Sequence, residues 1–122
     1  MSSGSGNLRG RMASALTDAM RARDRVAVTA LRSALSAVGN AEAVPVDTLP
    51  PAGAAETAAS GVGVADAPRR ELTEQDVRAV VLAALAEHDG AAEHLRVAGR
   101  PDDAARVAAE ADVLRELLAS SW

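Results

Sequence analysis

The 122-residue sequence predicts an all-α protein, with four helices arranged as two αα-hairpins joined by a long Ala/Pro/Gly-rich loop. Three observations predict it. The chain holds 30 Ala but no Phe, Tyr or Ile, and Trp122 is its one aromatic residue, so its apolar faces are built from small side chains. Alanine loses no side-chain entropy in a helix, and small side chains let helix axes approach to about 8 Å. Apolar residues recur every three or four positions over 8–39 and 73–118, the period of a helix face rather than of a strand. Glycine and proline gather between these two stretches and at one point inside the second, which separates the helices.

The first seven residues, "MSSGSGN", lack the basic and apolar regions of a signal peptide and are expected to be a disordered N-terminus. From Leu8, the spacing Leu8, Met12, Leu16, Met20, widened by Ala15 and Ala19, predicts a helix over 8–23 with one apolar face. Asp24 is a natural N-cap for a second helix over 25–39, whose face is Val28, Leu31, Ala34, Leu35 and Val38, and which Gly39 and Asn40 are expected to end. Two helices joined this closely form an antiparallel hairpin or a sharp kink. Residues 43–70 hold four of the five prolines and are read as a flexible insertion within a single domain spanning 1–122.

Helix resumes at "LTEQDV", with Thr73 as N-cap and Asp76 at the third helical position, and the expected span is 73–98. Its buried stripe is Val77, Val81, Ala84, Leu85, Ala92 and Leu95. Gly99 then suits the left-handed conformation that closes a helix, Pro101 suits the first turn of the next, and Asp102 with Asp103 faces that helix's positive end. The last helix, 101–118, packs through Val107, Ala111, Leu114 and Leu118.

Charge is uneven along the chain. The formal net charge is -4, and all 13 basic residues are Arg. Residues 1–40 carry six Arg against two acids, whereas 69–122 carry seven Arg against eleven acids. An acidic chain of this kind is not a generic nucleic-acid binder. No run nears the roughly 20 apolar residues of a membrane span, so no membrane partner is expected and the location read from the sequence is cytoplasmic.

The segments "ALTDAMRARDRVAVTALRSALSAVGNAEAV", "RRELTEQDVRAVV" and "AGRPDDAARVAAEADVLREL", in that order and spacing, resemble the GatB/YqeY family, in particular its short helical members without a C-terminal tail subdomain. Within those motifs Asp24, Asn40, Gly99, Arg100 and Glu110 are implied to be structural. The resemblance implies a helical module related to the C-terminal region of the B subunit of glutamine-dependent tRNA amidotransferases. That region helps to hold tRNA, and the family label is carbon-nitrogen ligase with glutamine as amide donor. The partners implied are tRNA or amidotransferase subunits. Where many members carry a basic "QRRDS" pattern this chain has "EHDGA", leaving only His88 there able to be cationic.

An amidotransferase centre needs a nucleophile that releases ammonia and a site for ATP. The sequence has no Cys, no Gly-rich phosphate loop before a helix, and no Ser with His and acid nearby. No catalytic residue is therefore assigned, no cofactor is expected, and the chain is not expected to be catalytic alone. His88 and His94 are six residues apart, about 240° around a helix, so they do not share a face and no metal site is expected. His88 falls on the apolar stripe and is expected to pack with one nitrogen satisfied.

Six arginines, Arg9, Arg11, Arg21, Arg23, Arg25 and Arg32, are the candidate nucleic-acid-binding residues, because guanidinium pairs bidentately with phosphate. The competing reading is that the basic hairpin packs beside the acidic one and their charges serve each other, with Glu110 as a partner for Arg32 or Arg100. The alternative function is then a helical protein–protein interaction or oligomerisation domain with no nucleic-acid role.

Overall fold

The computed structural model describes residues 7–43 and 71–120, and among them every regular element is helical. The helices are α1 (Leu8–Ala22), α2 (Arg25–Ala43), α3 (Glu74–Val97) and α4 (Pro101–Ala119). Asn7, expected in the disordered start, instead caps α1 by accepting a hydrogen bond from the Gly10 amide at 2.6 Å. Thr73 and Asp76 form the expected capping box at the start of α3, each side chain taking the other's backbone amide at 3.0 Å.

The second helix departs from expectation. It runs through Gly39 and Asn40 to Ala43, so Ala43 belongs to α2 rather than to the insertion. A glycine inside a helix costs only about 1 kcal/mol relative to alanine. Val38 is buried just before it, and Glu42 beyond it pairs with Arg9 of α1, which together hold the extra turn in place. The rest of the expected flexible insertion, 44–70, lies outside the described residues.

Both hairpins are antiparallel. Arg9 and Glu42 meet at one end of α1–α2 while the turn at 23–24 closes the other. In α3–α4, Asp89 meets Arg115 while the turn lies at 98–100. The second helix is the centre of the assembly, packing on α1, α3 and α4, whereas α1 touches α3 and α4 only lightly.

The core is made of Leu8, Met12 and Ala19 from α1, Ala27, Ala30, Leu31, Ala34 and Val38 from α2, Val77, Val81 and Ala84 from α3, and Leu114, Leu117 and Leu118 from α4. Met20, expected on the apolar face, is 51% exposed. It sits in the last turn of α1, where the chain turns toward α2 and the interface has narrowed to Ala19 and Ala27. The distal half of α3–α4, from His88 to Val107, adds nothing to this cluster, and Ala104 is its one buried apolar residue.

Candidate functional site

The arginines of the first hairpin divide into two sets. Arg9 is tied to Glu42, and Arg11 donates from Nη2 to the Ser120 hydroxyl at 2.7 Å, joining α1 to the end of α4. Arg21, Arg23, Arg25 and Arg32 are exposed, and their side chains make no ion pair among the described residues. The expectation of mutual service between the hairpins fails for these four.

Local structure explains where they stand. The chain leaves α1 with Arg23 in the left-handed conformation, φ 57° and ψ 38°. The Asp24 amide bonds back to the Ala19 carbonyl at 2.9 Å and the Arg23 amide to that of Met20 at 3.2 Å. The Asp24 carboxylate then caps α2 through the Ala27 amide at 3.1 Å. One short turn therefore presents Arg21, Arg23 and Arg25 together. Arg25 and Arg32 are seven residues apart, hence on the same face of α2 and about 10 Å apart along it. The exposed stripe of that face reads Arg25, Thr29, Arg32, Ser33, Ser36 and Asn40, with cations, hydroxyls and an amide but no carboxylate.

The second hairpin uses its arginines differently. Arg96 pairs with Glu93, Arg100 and Arg106 with Asp103, and Arg115 with Asp89 and Asp112. The hydrogen bond from Arg96, reinforced by its charge, holds the Glu93 carboxyl below its ordinary value of 4.5. The hydrogen bond from Arg106 and the charge of Arg100 do the same for Asp103. Asp89 in turn raises the Arg115 guanidinium.

Glu110 pairs with neither Arg32 nor Arg100. It is 8% exposed, and its Oε1 stands 3.4 Å from His88 Nε2, while His88 Nδ1 lies 2.9 Å from the Ala84 carbonyl. A carboxylate of α4 and an imidazole of α3 thus meet where the core ends and the distal half of the hairpin begins. Both ring nitrogens have partners, one more than expected. The signal was present in the sequence, since His88 falls on the α3 stripe and Glu110 lies between Val107 and Leu114 on that of α4.

Gly99 adopts φ 81°, the left-handed conformation expected of it, and Pro101 opens α4. Asp24 caps α2 as expected, and Asn40 lies on the exposed face of α2. Glu74 was unforeseen, because its Oε2 accepts from the Leu8 amide at 2.8 Å and so stands at the positive end of α1 as well as in the first turn of α3. Among the described residues no group of His, Asp and Glu is arranged to hold a metal ion, and no helix is long and apolar enough to cross a membrane. Comparison of the chain with family models, with curated proteins and with solved structures gave no match.

Proposed function

We propose that the chain is a tRNA-associated helical module of the GatB/YqeY kind, an accessory protein that holds RNA phosphates on the outer face of its first hairpin and acts in the cytoplasm. The observation that carries this reading is the division of the arginines. Arg96, Arg100, Arg106 and Arg115 of the second hairpin, and Arg9 of the first, neutralise neighbouring carboxylates, while Arg21, Arg23, Arg25 and Arg32 are left without an ion pair among the described residues. On the outer stripe of α2, arginine, hydroxyl and amide side chains stand without an intervening acid, and these are the groups that contact phosphate and ribose. The reading assigns no catalytic residue to this chain, and carbon-nitrogen ligase chemistry stays with the multi-subunit enzymes of the family.

Affinity held by phosphate contacts falls steeply with salt. The test is titration of labelled tRNA with the wild-type protein and with Arg21→Gln/Arg25→Gln/Arg32→Gln over a salt series, with helicity followed by circular dichroism. The wild type should bind at low salt, and the variant should keep its helicity while the slope of log affinity against log salt drops by about 2 to 3. Equal binding by the two proteins, or no binding by the wild type at low salt, would overturn the proposal.

A further inference from the structure

On the side of the first hairpin away from the acid-free stripe, α1, α2 and the last turns of α4 enclose an open groove of about 450 Å³. Its floor is apolar and small, with Ala19, Leu31 and Leu117 at its base, and its edges carry Asp18, Asp24 and Glu116. No basic residue lines it. Asp24 uses one carboxylate oxygen on the Ala27 amide, whereas the Asp18 and Glu116 side chains make no ion pair among the described residues. At the end of α4, Ser120 closes one end of the groove and takes the Arg11 guanidinium on its hydroxyl, so the uncompensated charge of the groove is that of its edge carboxylates.

We infer that this groove is a docking surface for a cationic amphipathic helix of a partner protein, with small apolar side chains on the floor and Arg or Lys against the three carboxylates. The length fits such a segment. Ala15 and Ala22 are seven positions apart along α1, about 10 Å, so the groove accommodates roughly two helical turns. The carboxylates repel phosphate, so RNA is excluded from this side while the acid-free stripe of α2 stays open. The two surfaces are therefore compatible on one molecule, and the groove does not depend on the RNA reading.

The test uses the full chain and a short synthetic amphipathic helix with Leu and Ala on one face and Arg along both edges. Binding is followed by fluorescence anisotropy at physiological ionic strength. Asp18→Asn/Glu116→Gln should weaken it about tenfold, the scale expected for two interface charge contacts. Ala22→Phe, which fills the groove from an exposed position, should weaken it at least as much. Glu87→Gln/Asp102→Asn, which removes acids away from the groove, should leave it unchanged, and a peptide with Glu in place of Arg should not bind. Circular dichroism confirms that each variant keeps its helices. Equal loss in both acid variants would mean general attraction to an acidic chain and would overturn the proposal, as would unchanged binding by Ala22→Phe. Self-association that Ala22→Phe abolishes, without peptide binding by the wild type, would give the groove to a second copy of the chain instead.

Discussion

The turn after α1 and the turn after α3 close with the same two hydrogen bonds and use opposite residues to do it. In the first, the Arg23 amide reaches Met20 and the Asp24 amide reaches Ala19; in the second, the Gly99 amide reaches Arg96 and the Arg100 amide reaches Leu95. The left-handed position is Gly99 in one and Arg23 in the other. That conformation costs a non-glycine residue roughly 1–2 kcal/mol, and glycine escapes it. The helix that follows is capped by the Asp24 side chain in the first turn and opened by Pro101 in the second. The second hairpin thus follows local preference, and Arg96, Arg100, Arg106 and Arg115 pair with its own acids. The first keeps an arginine in a strained position and leaves it without a charge partner among the described residues. The RNA-binding role proposed for the first hairpin would give that strained, unpaired arginine a use that folding does not.

The sharpest way to break the contrast between the hairpins is to empty the core where they meet. Leu114→Ala removes a fully buried side chain and should cost about 2–5 kcal/mol in urea unfolding, whereas Leu95→Ala, in the distal half of α3–α4, should cost clearly less. Equal losses would mean that the distal half is as much a part of the core as the junction. Next in size is Glu110→Ala, which strands His88 Nε2 and should cost about 1–3 kcal/mol. The double variant His88→Leu/Glu110→Leu should recover much of that loss, and failure to recover would mean that the pair is not the source of the cost.

The two turns should then respond with opposite signs. Gly99→Val should destabilise by about 1–2 kcal/mol, and the cost is conformational, because a Cβ at Gly99 meets nothing within 4 Å. Arg23→Gly should stabilise by up to about 1 kcal/mol, since relief of the left-handed strain exceeds the added freedom of the unfolded chain, and should at the same time weaken tRNA binding. A stability loss in Arg23→Gly would show that the arginine serves the fold.

The smallest effect is electrostatic and confined to the second hairpin. Glu93 and Asp103 are held below their ordinary values by Arg96 and by Arg106 with Arg100. Carboxyls depressed in the folded state contribute stability above the ordinary carboxylate range and lose it as pH falls through their lowered values. Carboxyl titration by NMR should show Glu93 moving up toward its ordinary value in Arg96→Gln, with the acid limb of the melting curve slightly shallower. An unmoved Glu93 would mean that the pair does not persist in solution.

What the sequence made legible was whatever depends on near neighbours. The capping box at Thr73 and Asp76, the cap at Asp24 and the turn at Gly99 and Pro101 are each set by residues within a few positions, and all were readable. Gly39 misled because glycine's local preference against helix is weak, and burial of Val38 with the Arg9–Glu42 pair outweighs it. The candidate site was half legible. The six arginines were evident as a cluster, but which of them were occupied depended on Glu42 and Ser120, 33 and 109 residues away. The acid-edged groove draws on three helices at once, and no window along the chain contains it.

The bond from Arg11 to Ser120 has a topological consequence. It brings the last described residue beside the first turns of α1, one helical turn from Asn7, so the two ends of the described fold lie close together and the path of the chain is a nearly closed ring. A few added residues would bridge Ser120 to Asn7, and the ring could then be opened between Ala43 and Glu71 instead. Such a permuted chain would present α3, α4, α1 and α2 in that order, with each helix keeping its neighbours. The fold therefore depends on which helices adjoin, and much less on where along the ring the polypeptide begins.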